Sequence, residues 1–122
     1  METEIITLPN TSIAYLKVHQ KVISKKDRFK NLQVAIDYCN THQIRNLIVD
    51  LTSTTSATDL RDDYKFARSI RRNLKGMNFA MLYCPSNIQV EFVIRIVSYC
   101  KEVCMKGFNS IEEAQNWLSR KQ

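Results

Sequence analysis

Glycine and proline are scarce in this chain, with two of each in 122 residues. That leaves little room for flexible linkers. It also removes the glycine-rich loops that cradle phosphates, since Gly76 and Gly107 stand alone. Long apolar runs are missing as well, and none approaches the roughly 20 residues needed to cross a bilayer. The opening METEIITLPN is acidic and polar, unlike the basic start and apolar stretch of a secretory signal. A cytoplasmic setting is therefore expected, where thiols stay reduced. Cys39, Cys84, Cys100 and Cys104 show no CxxC spacing, and His19 and His42 lie far from them in sequence. They read as small buried hydrophobes rather than zinc ligands. Asp50 has no companion histidine or organised carboxylate cluster, so it is expected to bond loop amides rather than act as a base. No catalytic residue, metal or cofactor is expected.

What remains is ordinary globular material. At 44% hydrophobic and 25% charged, the chain is too apolar for global disorder. Its length suits one core, hence a single domain over 1–122. The net charge of +6 favours anionic partners. The basic residues are spread over several segments rather than gathered in one run, and a nucleic-acid partner is not expected.

Apolar periodicity gives the elements. Residues 3–8 and 12–18 alternate around the turn signal Pro9-Asn10-Thr11 and predict an opening β-hairpin. Ser24 and Asp27 have capping-box spacing, and Phe29, Leu32, Ile36 and Cys39 follow as one helical stripe to about His42. IRNLIVDL, residues 44–51, fits a buried central strand. A polar loop, 52–57, leads into a second helix over 58–74. There Leu60, Tyr64, Ala67, Ile70 and Leu74 recur at helical spacing, acidic residues come first and basic ones last. NFAMLYC, residues 78–84, predicts another buried strand before Pro85. A third helix runs from Asn87 to Cys100 or beyond. Residues 103–108 fit either a continued helix or, preferably, a short strand, because Ser110 and Glu113 announce a new helix start. Strands alternating with helices imply crossovers and a mostly parallel sheet of four to five strands, with the hairpin at one side and about four helices.

That order, together with LIVDL, the Asp-rich opening of the second helix, NFAMLYC and the closing FNSIEEAQNWL, resembles the SpoIIAA-like family. These are small bacterial domains related to the STAS fold of anti-sigma-factor antagonists and sulfate-transporter tails. The resemblance spans nearly the whole chain. It implies an α/β STAS-like domain that is regulatory, non-enzymatic and works by binding a protein. In STAS relatives a serine or threonine at the start of the helix after the central strand can be phosphorylated, switching partner binding. Ser56 and Thr58 are the nearest candidates here. The surrounding TSTTSATDL lacks the relatives' Asp-Ser-Ser-Gly pattern, with no glycine and with Asp59 following the hydroxyls. The bland alternative is that Ser56 or Thr58 caps the helix.

Two further features carry candidate surfaces. Lys21, Lys25, Lys26, Arg28 and Lys30 cluster at the start of the first helix, where cations oppose the helix dipole. They form either a solvated face or a patch for an acidic partner or phospholipid. On the third helix, one stripe holds Val90, Val93, Val97 and Cys100, and another holds Phe92, Ile96 and Tyr99. The apolar arc is roughly 200°, about twice that of a surface helix. Neighbouring helices cover Phe92, Val93, Ile96 and Tyr99, or that face is a homodimer contact, or it is one wall of a lipid pocket. The second functional reading is thus a binding or carrier protein for a lipid-like or amphipathic molecule, with the basic region holding an anionic head.

Overall fold

The computed structural model describes residues 3–121. The opening hairpin consists of β1 (Thr3–Thr7) and β2 (Ile13–Val18). There follow β3 (Val22–Ile23), α1 (Lys25–His42), β4 (Asn46–Leu51), β5 (Thr55–Ser56), α2 (Leu60–Asn73), β6 (Asn78–Tyr83), α3 (Ile88–Val97), β7 (Cys104–Phe108) and α4 (Ile111–Ser119). Five strands form one sheet in the order β1-β2-β4-β6-β7. The β1–β2 pair is antiparallel and every other pair in this sheet is parallel. The expected four-to-five-stranded, mostly parallel sheet with a hairpin at its edge and four helices is what is found.

Period-two alternation in the strands splits the interior into two layers. Ala14, Leu16, Leu47, Phe79, Met81 and Met105 point to the face covered by α1, α2 and α3. Ile13, Ile48, Ala80 and Leu82 point the other way, against Ala114 and Leu118 of α4. The buried parallel strands therefore read as continuous apolar runs. Residues 103–108 do form the last strand, paired to β6.

Caps fix the helix starts. The Ser24 hydroxyl accepts from the Asp27 amide at 3.2 Å, and the Asp27 carboxylate accepts from the Ser24 amide at 2.9 Å. The second helix begins later than expected: its cap is Asp59, which accepts from the Asp62 amide at 2.8 Å. Neither Ser56 nor Thr58 caps it. Asn87 and Ser110 cap α3 and α4 through the Val90 and Glu113 amides. α3 ends at Val97, short of Cys100.

The inward stripes of α1 and α2 keep Leu32, Ile36 and Cys39 and Ala67, Ile70 and Leu74 from those read from apolar spacing, and differ at their first turns. On α1 the buried positions are Arg28, Ala35 and Cys39, while Phe29 is exposed. On α2 they are Asp63, Ala67 and Ile70, while Leu60 and Tyr64 are exposed. Each stripe starts on a charged residue, and the two charges meet: Arg28 Nη1 lies 2.6 Å from Asp63 Oδ1. The cysteines also differ from expectation. Cys39 is buried, and burial pushes its thiol up to about 11, but Cys84 is exposed and Cys100 and Cys104 are half-buried. Cys84 follows the last residue of β6 at the open end of the sheet, where no layer covers it.

Candidate functional site

In a parallel sheet the loops at the carboxyl ends of the strands form the natural place for a site. Here residues 52–58 leave β4 and enter α2 at that end. They are not a free loop. Thr55 donates its amide to the Lys21 carbonyl at 2.8 Å, and Ala57 donates to Ile23 at 2.8 Å. This creates a small parallel ladder, β3 with β5, in register Val22–Thr55 and Ile23–Ser56. The ladder fixes the candidate hydroxyls. Ser56 Oγ is buried without a hydrogen-bond partner. Thr58 is half-buried, and its hydroxyl donates to Asp63 Oδ1 at 2.6 Å.

Asp50, at the end of β4, gathers a polar knot. Its carboxylate accepts from the Thr52 amide at 3.0 Å, the Thr52 hydroxyl at 2.6 Å and the Tyr15 phenol, and Lys17 Nζ lies 3.3 Å away. Burial alone would raise the Asp50 pKa. The hydrogen bonds from Thr52 and Tyr15, with the Lys17 charge beside them, outweigh it and hold the carboxyl below its ordinary range. Burial, then the bond to Asp50 and its charge, drive the Tyr15 phenol upward. The pair thus holds an ionised carboxylate against a protonated phenol. That arrangement orders the strand end and binds the loop amide, as expected of Asp50, and it leaves Tyr15 a poor acid whose proton is committed to Asp50. Among the described residues no group of three or more histidine, cysteine or acidic side chains is placed to hold a metal ion.

The first turns of α2 and α3 frame a groove of about 560 Å³. Leu60, Ile88 and Phe92 supply its apolar surface, and Asp59, Asp63, Glu91 and Arg95 its charges. Leu60 and Ile88 are 66% and 67% exposed, which is unusual for residues of their size at two adjoining helix starts. Along the outer face of α2, Arg61, Lys65, Arg68 and Arg72 are all exposed. Their spacing of four, three and four residues places them on one stripe.

The four residues of the third-helix face therefore do not act as a unit. Val93 is in the core at 3% exposure, because it shares the buried stripe of Val90 and Val97. Ile96 is half-buried against the same core. Tyr99 lies beyond the end of α3 and is exposed. Phe92 alone lines the groove. The basic patch is also divided. Lys21, Lys25 and Lys26 are exposed, with Lys25 3.9 Å from Asp62, but Arg28 is buried and paired with Asp63. The helical turn carries Arg28 inward with Ala35 and Cys39, so it is not part of a surface. Leu60, Ile88, Asp63 and Tyr15 were not singled out by sequence as site residues. The charge spacing on α2 is the one signal that could have found its face.

No helix among the described residues is long and apolar enough to cross a membrane. No family model and no curated protein matches the sequence. Among solved structures, the chain is similar to a protein from Shewanella loihica PV-4, described as an uncharacterised member of the DUF3478 family with a SpoIIAA-like fold. The two share 16% identity and superpose with a TM-score of 0.60, covering 95% of this chain and 91% of that one. At that identity the likeness is one of architecture, and it agrees with the strand order, the edge hairpin and the four helices: this chain has a SpoIIAA-like fold.

Proposed function

We propose that the chain is a non-enzymatic, STAS-type interaction module that docks a protein segment on the groove between α2 and α3. The observation that carries this reading is the exposed pair Leu60 and Ile88, set over Phe92 at the mouth of one groove. Apolar side chains of this size gain little in water and much against a partner, roughly 1.5–3 kcal/mol each when fully covered. The basic stripe of Arg61, Lys65, Arg68 and Arg72 borders the same helix. It favours a partner whose acidic residues fall along the outer face of α2, away from the Asp59 and Glu91 that line the groove itself. A second copy of the chain is a poorer occupant, because two-fold pairing through this face would set like-charged stripes side by side on a molecule already at +6.

The hydroxyl switch has little support from the local geometry. Thr58 is bonded to a carboxylate, and a phosphate there would face both Asp63 and Asp59. Docking therefore rests on shape and charge at the groove. Affinity capture from native extract tests this. The wild-type chain should retain a partner that Leu60→Asp/Ile88→Asp does not retain and that elutes as salt rises. Retention that is equal in the double variant would place binding elsewhere.

A further inference from the structure

β1 is one edge of the five-stranded sheet, and among the described residues no strand pairs with its outer side. One hydrogen bond fixes the direction of its backbone groups: the Leu8 amide donates inward to the Ile13 carbonyl at 2.9 Å. Inward and outward groups alternate along an antiparallel strand. Glu4 and Ile6 therefore share the inward set with Leu8, and the amides and carbonyls of Thr3, Ile5 and Thr7 face the open edge. Open edges are normally blunted by lysine, proline or a bulge. The opposite edge, β7, carries exposed Lys106 next to Gly107, whereas β1 reads Thr-Glu-Ile-Ile-Thr. Its outward-bonding positions, Thr-Ile-Thr, are the same in both directions. α1 continues that symmetry. The Thr3 hydroxyl donates to Asn31 at 2.8 Å, and the Thr7 and Tyr38 hydroxyls lie 2.6 Å apart, so α1 is pinned over β1 at two points. Val34 falls midway between them, level with Ile5. At 100° per residue, Ala35 and Cys39 turn from the Asn31–Tyr38 line toward the core, and Val34 turns past the sheet edge, where it is 38% exposed. Exposed Lys30 and Asp37 flank it, and among the described residues neither has an ion pair within its own chain.

We infer that this edge is a homodimer contact: a second copy of the chain pairs antiparallel with β1 about a two-fold axis through Ile5, joining the two sheets into one. In that register Ile5 faces the second copy's Ile5 and Thr3 faces its Thr7, so every outward amide and carbonyl of the three residues finds a partner. A slip of one residue would turn the side chains to the wrong faces. α1 lies over both β1 and β2. With strands about 4.8 Å apart, the two α1 axes then come about 10 Å apart, the distance of packed helices. They run antiparallel. Val34 meets the second copy's Val34 on the axis, and Lys30 meets its Asp37 on either side. The palindromic edge and this charge complementarity select another copy of the chain over an unrelated strand. On the opposite face Ile6, 52% exposed, is set against the second copy's Glu4, so no like charges stand directly across. The contact is small, and it forms at about 0.01–1 mM rather than at nanomolar concentration. It uses neither α2 nor α3, and the docking groove stays open in the dimer.

Sedimentation equilibrium of the full chain over about 0.01–1 mM should show the mass rising from one chain toward two. Over the same range, hydrogen exchange followed by NMR should slow at the Thr3, Ile5 and Thr7 amides. The Glu4 and Ile6 amides, already bonded to β2, should change little. Val34→Lys puts two ammonium groups on the axis and should weaken the dimer by roughly tenfold or more, as should Lys30→Asp. Lys30→Asp/Asp37→Lys should restore it. These positions are exposed, and an amide spectrum that matches wild type in dilute solution shows that each variant folds. A single-chain mass at about 1 mM would overturn the dimer. A dimer that leaves exchange at Thr3, Ile5 and Thr7 as it is in the monomer would overturn pairing at this edge. A dimer equally tight in Val34→Lys, or one that the exchanged charges do not restore, would overturn the axis through Ile5.

Discussion

Arg28 on α1 and Asp63 on α2 meet at 2.6 Å with 5% and 0% of their side chains exposed. They form the charged centre of the helix layer. Thr58 donates to the same carboxylate oxygen, and the Arg28 guanidinium lies 5.1 Å from the Phe66 ring centroid. One contact thus ties α1, α2 and the segment that enters α2.

Removing one partner strands the other in a low-dielectric interior. Arg28→Met alone should cost about 3–5 kcal/mol. Arg28→Met/Asp63→Leu should recover most of that loss, since it buries no lone charge, and fall short of wild type by the Thr58 hydrogen bond that goes with the Asp63 carboxylate. Urea unfolding of the two single variants and the double one provides the cycle. Additive losses would show that the pair is not coupled.

Thr58→Val removes a hydrogen bond to a charged acceptor and should cost about 1.5–3 kcal/mol. Thr58→Asp should cost more, because it sets a second carboxylate against Asp63. Both effects are read from denaturation midpoints. If the aspartate variant matched wild type, the hydroxyl would not be committed to Asp63 and a phosphorylation switch there would regain support.

Asp50 gives the fold a dependence on acid. Its folded pKa is depressed, so the stability it adds is fully present above the ordinary carboxylate value and fades as pH falls through the lower, folded value. Wild type should therefore lose its advantage over Asp50→Asn progressively below about pH 4. Tyr15→Phe deletes one donor and should raise the Asp50 pKa, as followed by carboxyl ¹³C shifts in a pH titration. An unchanged titration would mean that the phenol does not hold the carboxylate.

Much of this architecture is legible in sequence, for identifiable reasons. Buried strands such as NLIVDL and NFAMLY are apolar on both faces, and Ser24 with Asp27 marks a helix start by hydrogen-bonding chemistry that hardly depends on context. Apolar counting misplaced the first turns of two stripes because their first inward residues, Arg28 and Asp63, are charged and become buried only through each other. It chose the adjacent aromatics Phe29 and Tyr64 instead. The β3–β5 ladder has two residues per strand, too few for any period to show. The α2 basic stripe was missed because charge was read as linear runs rather than around the helix.

The most direct test of the docking surface is site-specific photo-crosslinking in cells, with a benzophenone side chain placed at position 60 or 88 and, as a control, at exposed position 112 on α4. The expected result is a discrete protein adduct from 60 and 88, lost when Arg61 and Arg68 are both changed to glutamate, and no such adduct from 112. Bare chain at 60 and 88, or the same adducts from all three positions, would contradict a partner-binding groove between α2 and α3.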